Sequence, residues 1–593
     1  MQQHETRNCQ NCKRDFAIEP EDFAFYEKMK VPPPTFCPEC RMVRRMNWRN
    51  ERSLYKNTCA ATGKDIISMF SPEMNVVVYD RDYWWSDKWD QLASGRDYDF
   101  SKPFFQQFKE LFHVAPLPNL ANSNCVRSKY GNHNLDCKDC YLIYASLNNE
   151  NISYSRGGVH CKDSFDIDTV MKSEQCYNDI LCGGMYKVNF SYDSDDSMDS
   201  DFLQACKNMK HSLGCINLQN KSYNIFNQQY TKEEYEKERA KYDFGSYKVL
   251  SDFREKFAEF IRQYPRRYGF VYKSLNTFGD NVLNAKNVYM GFDIFGGAED
   301  SKYIVHIVPV LKNTYDAYGA GANLSDSYDI VDSGADATRL LFTVFTHSSH
   351  YLEYSYACHN SSYLFSCVGL QSKQYCILNK QYTKEEYKAL LPKIKKQMAE
   401  MPYVDSHGKT YGYGEFFPVE ISPFFYNETI AQEFYPISEA QASEKGYRWF
   451  NLKKQDYKIT KKTDDIPDHI KDVSDAILQE VIECAHQGSC NDQCTKAFRI
   501  IEKELQFYKK MNFALPRLCP NCRHAERMKK RTQLKLWSRK CDCGGEQSKN
   551  GIYKNTVDHF HEGNVCPNEF QTAYSPQKPE MLYCQQCYNA EVI

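Results

Sequence analysis

Four cysteine pairs carry the clearest chemistry in this sequence: Cys9-x2-Cys12, Cys37-x2-Cys40, Cys519-x2-Cys522 and Cys584-x2-Cys587. Two thiolates at this spacing sit on a tight knuckle and take two corners of a metal tetrahedron, which a second pair closes. The chain starts Met1-Gln-Gln-His-Glu-Thr-Arg, without the apolar stretch of a secretory signal. A cytoplasmic, reducing location is therefore expected, and zinc explains the pairs better than disulfides.

The spacing repeats between the two ends. Cys12 to Cys37 spans 25 residues, as does Cys494 to Cys519, and Cys40 to Cys59 spans 19, as does Cys522 to Cys541. Both long intervals contain Phe-Tyr-x-Lys-Met, so one module occurs twice. The first expected site is Cys9, Cys12, Cys37 and Cys40; the second is Cys490, Cys494, Cys519 and Cys522. Cys490 precedes Cys494 with three intervening residues instead of two, which leaves Cys484 or His486 as substitutes. A third site pairs Cys541 and Cys543 with Cys584 and Cys587, with Cys566, His559 and His561 as alternates. In the N-terminal copy Asp80 stands where Cys584 would be and Tyr83 near Cys587, so Cys59 is read as a buried thiol. About three structural zinc ions are expected, each closed to water.

Positioning these ligands requires a knuckle, a short hairpin and a helix opening at Cys-Pro-x-Cys, which is the treble-clef (zinc-ribbon) arrangement. The expected helices are basic. Residues 41–56 hold Arg41, Arg44, Arg45, Arg49, Arg52 and Lys56 against Glu51 alone; in 523–540, Arg523, Arg527, Arg531, Lys535 and Arg539 recur every fourth residue. Such a stripe suits phosphate contacts, with Trp48 or Trp537 for stacking, or equally a solvated helix face. Arg41, Arg45, Arg49, Arg523, Arg527, Arg531 and Lys535 are the nucleic-acid candidates.

The middle of the chain changes texture. Aromatic-centred units step by 10 to 13 residues through Tyr141, Tyr154, Phe165, Tyr177, Phe190, Phe202 and Tyr223, with Leu213 filling the gap before the last, and a second series runs through Tyr289, Tyr303, Tyr315 and Tyr328, then Tyr351, Tyr363 and Tyr375. Each reads as a short strand bounded by Asn, Asp, Ser or Gly that buries its apolar side only by stacking on neighbours. Two units per coil would give about 24 residues, which favours a duplicated parallel β-helix or β-solenoid over a sandwich. Its cysteines are read as small core residues. Parallel phrases beginning at Cys215 and Cys367 end in capping boxes at Thr231/Glu234 and Thr383/Glu386, which start helices covering the strand edges. The expected organisation is a zinc module (1–60), an aromatic bridge (61–120), a solenoid block (121–230), a helical cap (231–280), a second block (281–382) and a second cap (383–402). An irregular connector with a helix at 474–485 (403–483) and a double zinc module (484–593) complete it.

The 593 residues exceed a single core, and a net charge of −2 excludes a globally basic coat or an acidic tail. No apolar run approaches the length of a membrane span. No phosphate loop, GxSxG, HExxH or deaminase signature is present, so no catalytic residue is assigned. The acidic run 193–201 reads as a Ca²⁺ ligand set or, more simply, a polar turn.

The phrases VPPPTFCPECRMVRRMNWRNERSLYK, YWWSDKWD, LPRLCPNCRHAERMKKR and CPNEFQTAYSPQKPEMLYCQQCY resemble a large set of zinc-binding proteins of candidate-phyla (Patescibacteria-type) bacteria. Members of that set carry Cys-x2-Cys where this chain has Asp80-Arg-Asp-Tyr83, which matches the missing N-terminal site. The resemblance implies an intracellular protein of a small-genome host and brings no activity with it. The sequence thus leads to a non-enzymatic zinc-stabilised scaffold contacting nucleic acid, RNA first. The alternatives are self-assembly, or another protein contact, through the zinc modules, and a glycan-directed β-helix; no membrane is involved.

Overall fold

The computed structural model describes residues 4–451 and 457–592. Residues 1–3, 593 and the connector stretch 452–456 lie outside the described residues. The architecture is mainly β, a solenoid of about 18 turns in two blocks, with cysteine clusters near both ends of the chain.

The coil is smaller than expected. Parallel bridges join Ser123 to Leu135, Val126 to Lys138, Lys129 to Tyr141 and Asn132 to Tyr144, so each coil takes 12 residues and each aromatic unit closes one coil by itself. The reason lies in the corners. Asn124, Arg127, Tyr130, His133, Asp136 and Asp139 all have φ near +50°, one left-handed residue in every three. Each three-residue side pairs through its first residue, turns at its second and points its third inward. A left-handed corner costs about 1–2 kcal/mol for most residues and less for Gly, Asn and Asp, which accounts for how often these residues stand at the corners. In the second block part of the stack widens to 13 residues, from Leu311 through Leu324 to Ala337, before returning to 12.

The enclosed space admits only small side chains. Cys125, Cys137, Cys140, Cys161, Cys176, Cys182, Cys206 and Cys215 lie at multiples of three from one another, and all but partly covered Cys125 are buried. Inward hydroxyls complete the coil-to-coil bonding. Ser155 Oγ donates to Ser153 O at 2.8 Å and accepts the Ile167 N–H at 3.1 Å, one coil on. The acidic run follows the same rule: Asp193, Asp196 and Asp199 are corners, with Ser194, Ser197 and Ser200 buried between them. Its carboxylates are spread around the coil, and among the described residues they form no metal-ligand group.

Each block ends in an antiparallel pair, Asn224–Ile225 with Gln228–Gln229 and Gln374–Ile377 with Lys380–Gln381. Helices Lys232–Arg239 and Lys384–Glu400 follow, both started by reciprocal Thr/Glu capping boxes. A further helix runs Tyr247–Ile261. The segment 474–485 is not one helix. It is a 3-10 turn, Asp475–Gln479, followed by strand Ile482–Glu483, because Ile482 pairs with Phe498 to open the second cysteine hairpin.

Because aromatic side chains do not fit inside, their columns face outward and need cover. The first module supplies helices α1 (Pro20–Met29) and α2 (Pro38–Met46), the second α3 (Glu502–Met511) and α4 (Pro520–Lys530). The cover is crossed. Phe25 of α1 stacks on Tyr315 in the second block, with ring centroids 3.8 Å apart, while Phe507 of α3 stacks on Phe165 in the first, at 4.4 Å. The tail of each module docks on the other block's entry strand, Val78–Tyr79 on Leu117–Pro118 and Leu582–Tyr583 on Arg266–Arg267.

One inward residue departs from the pattern. Asn134 and Asn149 accept an N–H from the next coil through Oδ1 and donate through Nδ2 to a carbonyl nine residues on. Asp179 accepts the Ser191 N–H at 2.8 Å, but its Oδ2 has no partner, and burial pushes its carboxyl well above the usual carboxylate range. The folded state thus holds a proton that the unfolded chain releases, so this group's contribution to stability falls as pH rises above the ordinary carboxylate pKa. Asp179→Asn restores the missing donor. It should stabilise the fold by about 1–3 kcal/mol in denaturant unfolding, with a gain that grows as pH rises above the ordinary carboxylate range.

Candidate metal centres

The N-terminal ligands come from a hairpin and a helix start. Strands Glu5–Asn8 and Asp15–Ile18 pair antiparallel and place Cys9 and Cys12 on the turn. Cys37 is the N-cap of α2 and Pro38 its first residue, which brings Cys40 into the first turn. The Cys37 N–H donates to Cys9 Sγ at 3.2 Å, and Cys12 Sγ lies 3.7 Å from Cys37 Sγ. A Zn–S bond of about 2.3 Å gives a tetrahedral edge of about 3.8 Å. The four sulfurs form one group that could hold a metal ion, as expected.

The second group is Cys484, Cys494, Cys519 and Cys522, so Cys484 replaces Cys490. Hairpin position, and not spacing, decides the ligand. Cys484 ends strand Ile482–Glu483 as Cys9 follows Glu5–Asn8. The Cys519 N–H donates to Cys484 Sγ at 3.2 Å, reproducing the Cys37–Cys9 bond. Cys490 belongs to a longer turn; it approaches Cys522 Sγ at 3.7 Å and groups with His486 and Cys522 alone.

The third group is Cys541, Cys566, Cys584 and Cys587, with Cys566 in the place expected for Cys543. Cys566 Sγ is 3.9 Å from Cys584 Sγ, whereas Cys543 gathers with His559, His561 and Cys587. In each group the neighbouring thiols donate to one sulfur, at Cys9, Cys519 and Cys584, and these hydrogen bonds draw it well below the ordinary thiol range. The N-terminal copy keeps the same frame without the ligands. The Asp80 N–H donates to Cys59 Sγ at 3.1 Å as the Cys584 N–H donates to Cys541 Sγ at 3.2 Å. Cys59 is a buried thiol, as read.

The basic residues are not where phosphate contact needs them. Arg41, Arg45, Arg49, Arg523, Arg527 and Arg531 are all buried. Arg45 reaches Asp316 at 2.8 Å and Asp329 at 2.9 Å; Arg41 pairs with Asp316 at 2.9 Å. Arg49 bonds Glu51 at 2.8 Å and Asp332 at 3.0 Å, and its guanidinium lies where a Cβ on Gly319 would clash. At the other end Arg523 takes Glu504 at 2.8 Å, Arg527 takes Asp166 at 2.7 Å, and Arg531 bridges Asp168 and Asp293 in the two blocks. These guanidiniums neutralise solenoid and module carboxylates, which corrects their assignment to nucleic acid. Burial opposes ionisation of Asp332, but Arg49 and His133 draw it far below the usual range, and Arg156 with Arg49 brings Glu51 to about 2. Trp48 is buried among Phe112, Phe416 and Phe417. Helix α4 ends at Lys530, so Lys535 lies beyond it, half-exposed and 3.5 Å from Glu39; Trp537 opens strand Trp537–Lys540.

Sequence reasoning missed one feature entirely. A cavity of about 580 Å³ between α4 and the connector is lined by Arg52, Glu428, Glu433 and His524. Burial raises Glu433 to about 7 and Glu428 to about 8. Both carboxylates come from the irregular connector, where no periodicity or motif marks them.

No family model and no curated protein matches the chain. Among solved structures it is similar to a putative acetyltransferase from Desulfovibrio desulfuricans G20, at 12% identity over 49% of this chain and 74% of that one. The TM-score is 0.10, and the likeness carries no argument about fold or activity.

Two variants separate ligand from bystander. Cys484→Ala should remove one metal equivalent by elemental analysis, whereas Cys490→Ala should keep the full content. Arg527→Met removes the nearer of the two guanidiniums paired with buried Asp166, leaving Arg523 at 3.4 Å, and should lower stability by up to about 3 kcal/mol. Lys535→Met should change it by less than about 1 kcal/mol in the same denaturant unfolding.

Proposed function

We propose that this chain is a non-enzymatic, zinc-stabilised scaffold whose terminal modules staple two solenoid blocks into one body. The burial of six arginines in and just beyond the knuckle helices against internal carboxylates carries the reading: the modules direct their charge into the chain and not toward a ligand. Four-sulfur groups suit zinc, and a closed tetrahedron has no position for water, which supports a structural role. A reducing, cytoplasmic setting is supported by the 26 cysteines, which are all free, including those stacked in the solenoid interior. Among the described residues no helix is long and apolar enough to cross a membrane. Contact with RNA or DNA would have to use residues other than these arginines.

One observation favours a second reading, binding of an extended glycan. A groove of about 870 Å³ runs beside α1, lined by Phe278, Tyr289, Tyr303 and Tyr315 together with Asn276 and Asn287. The amides form a ladder, Asn276 Nδ2 donating to Asn287 Oδ1 at 3.1 Å and Asn287 Nδ2 to Asp300 Oδ1 at 2.8 Å. Tyr303 and Tyr315 are buried in its wall, but Phe278 and Tyr289 are exposed, and open rings for sugar faces beside amides for hydroxyls are the composition such a polymer needs.

Chelation under reducing conditions tests the scaffold. Structural zinc contributes on the order of 10 kcal/mol per site in isolated finger peptides. Removal should release the modules and uncover the aromatic columns, seen as dye binding and a larger hydrodynamic radius, with recovery on zinc addition. A metal-free chain that keeps its radius and near-ultraviolet dichroism would overturn the proposal. In parallel, salt-dependent RNA binding should be absent; its presence, together with a glycan array blank, would move the partner back to nucleic acid.

A further inference from the structure

Among the described residues, two clusters of ligating side chains overlap the four-cysteine groups without being part of them: a three-member set, His486, Cys490 and Cys522, and a four-member set in the C-terminal module. Cys543, His559, His561 and Cys587 hold their ligand atoms within 4.8 Å of one another, and all four are buried. Cys587 is at the same time the fourth sulfur of the group with Cys541, Cys566 and Cys584. We propose that the C-terminal module carries a binuclear zinc centre. The Cys587 thiolate bridges one ion held by Cys541, Cys566 and Cys584 and a second held by Cys543, His559 and His561. The inference rests on the reading that the thiolate groups carry zinc, and adds a fourth ion to it.

The histidines are prepared as ligands. His559 Nε2 is paired with Glu591 Oε1 at 2.8 Å, and Glu591 is anchored in turn by the Thr556 N–H and hydroxyl and by the Tyr553 hydroxyl. That leaves His559 Nδ1 buried with no hydrogen-bond partner. A carboxylate on one imidazole nitrogen and a metal on the other is the usual second-shell arrangement for a metal-bound histidine. His561 Nε2 lies 3.4 Å from Cys587 Sγ. Bonds of about 2.3 Å to sulfur and 2.0–2.1 Å to nitrogen set a tetrahedral S···N edge of about 3.5 Å. Cys543 Sγ, fully buried, receives the Asn555 Nδ2 hydrogen bond at 3.2 Å, a contact that suits a thiolate.

Charge points the same way. A single ion in the four-sulfur group leaves a buried net charge of −2, beside a further thiol and two imidazoles with nothing to ligate. Two Zn²⁺ against five thiolates leave −1, which lowers the penalty of burying the cluster. The N-terminal copy shows that these ligands exceed what the hairpin needs. Strands Tyr55–Thr58 and Asp65–Ser68 pair there as Trp537–Lys540 and Glu569–Thr572 do here, around the lone thiol of Cys59.

The test uses the full chain purified under reducing conditions. Elemental analysis should give four zinc ions per chain, and zinc-edge X-ray absorption should show metal–metal scattering near about 3.8 Å, the separation set by one shared sulfur. The double variant His559→Ala/His561→Ala should lose one equivalent and the metal–metal scattering while keeping three ions. Three ions with no metal–metal scattering in the unaltered chain would overturn the binuclear centre and leave the scaffold standing, and this measurement needs no variant to fold. A chain without zinc would overturn both.

Discussion

The narrowness of the 12-residue coil governs the rest of the molecule. Four three-residue sides enclose room for one small side chain each, so cysteine, serine, asparagine and short aliphatic residues fill the interior and aromatic rings are forced out. Turning a corner every third residue demands left-handed backbone, which, after glycine, Asn and Asp tolerate best. The same geometry brings each inward hydroxyl within reach of the next coil's N–H, so a polar interior stays satisfied.

Outward aromatic columns are a liability unless covered, and the crossed modules supply the cover. A repeating column offers many nearly equivalent docking positions for a helix. Buried ion pairs add little net stability compared with apolar contacts, but they discriminate sharply between positions, because a misplaced helix leaves charges unpaired. The pairs of Arg41 and Arg45 with Asp316, and of Arg527 with Asp166, therefore act as register marks that fix each module to one set of coils. Arg531, bonded to Asp168 and Asp293, and Arg156, bonded to Glu51 and to the Tyr318 hydroxyl, tie the two blocks to each other.

The metal groups follow the hairpins that present them. Cys9 and Cys484 fill the same place although the gaps to Cys12 and Cys494 differ, because each ends the first strand of its hairpin and accepts the N–H of the helix N-cap. Cys59 and Asp80 preserve that frame where the ligands themselves are gone.

How much of this was legible depended on the range of the interaction involved. Knuckle pairs, capping boxes and the repeated aromatic units are local or periodic, and the sequence alone determined the terminal cysteine clusters, the solenoid, its two blocks and the helices that follow them. The 12-residue coil was also present in the sequence, as cysteines at multiples of three, but aromatic spacing marks only one side of each coil and hid it. What only the tertiary structure decided are the contacts between distant segments. The choice of Cys484 and Cys566 over Cys490 and Cys543 depends on where strands end. The burial of the arginine stripe depends on aspartates hundreds of residues away. A basic helix facing solvent and one facing carboxylates have the same sequence, because charge pairing across a fold leaves no periodic trace in the helix that provides half of it.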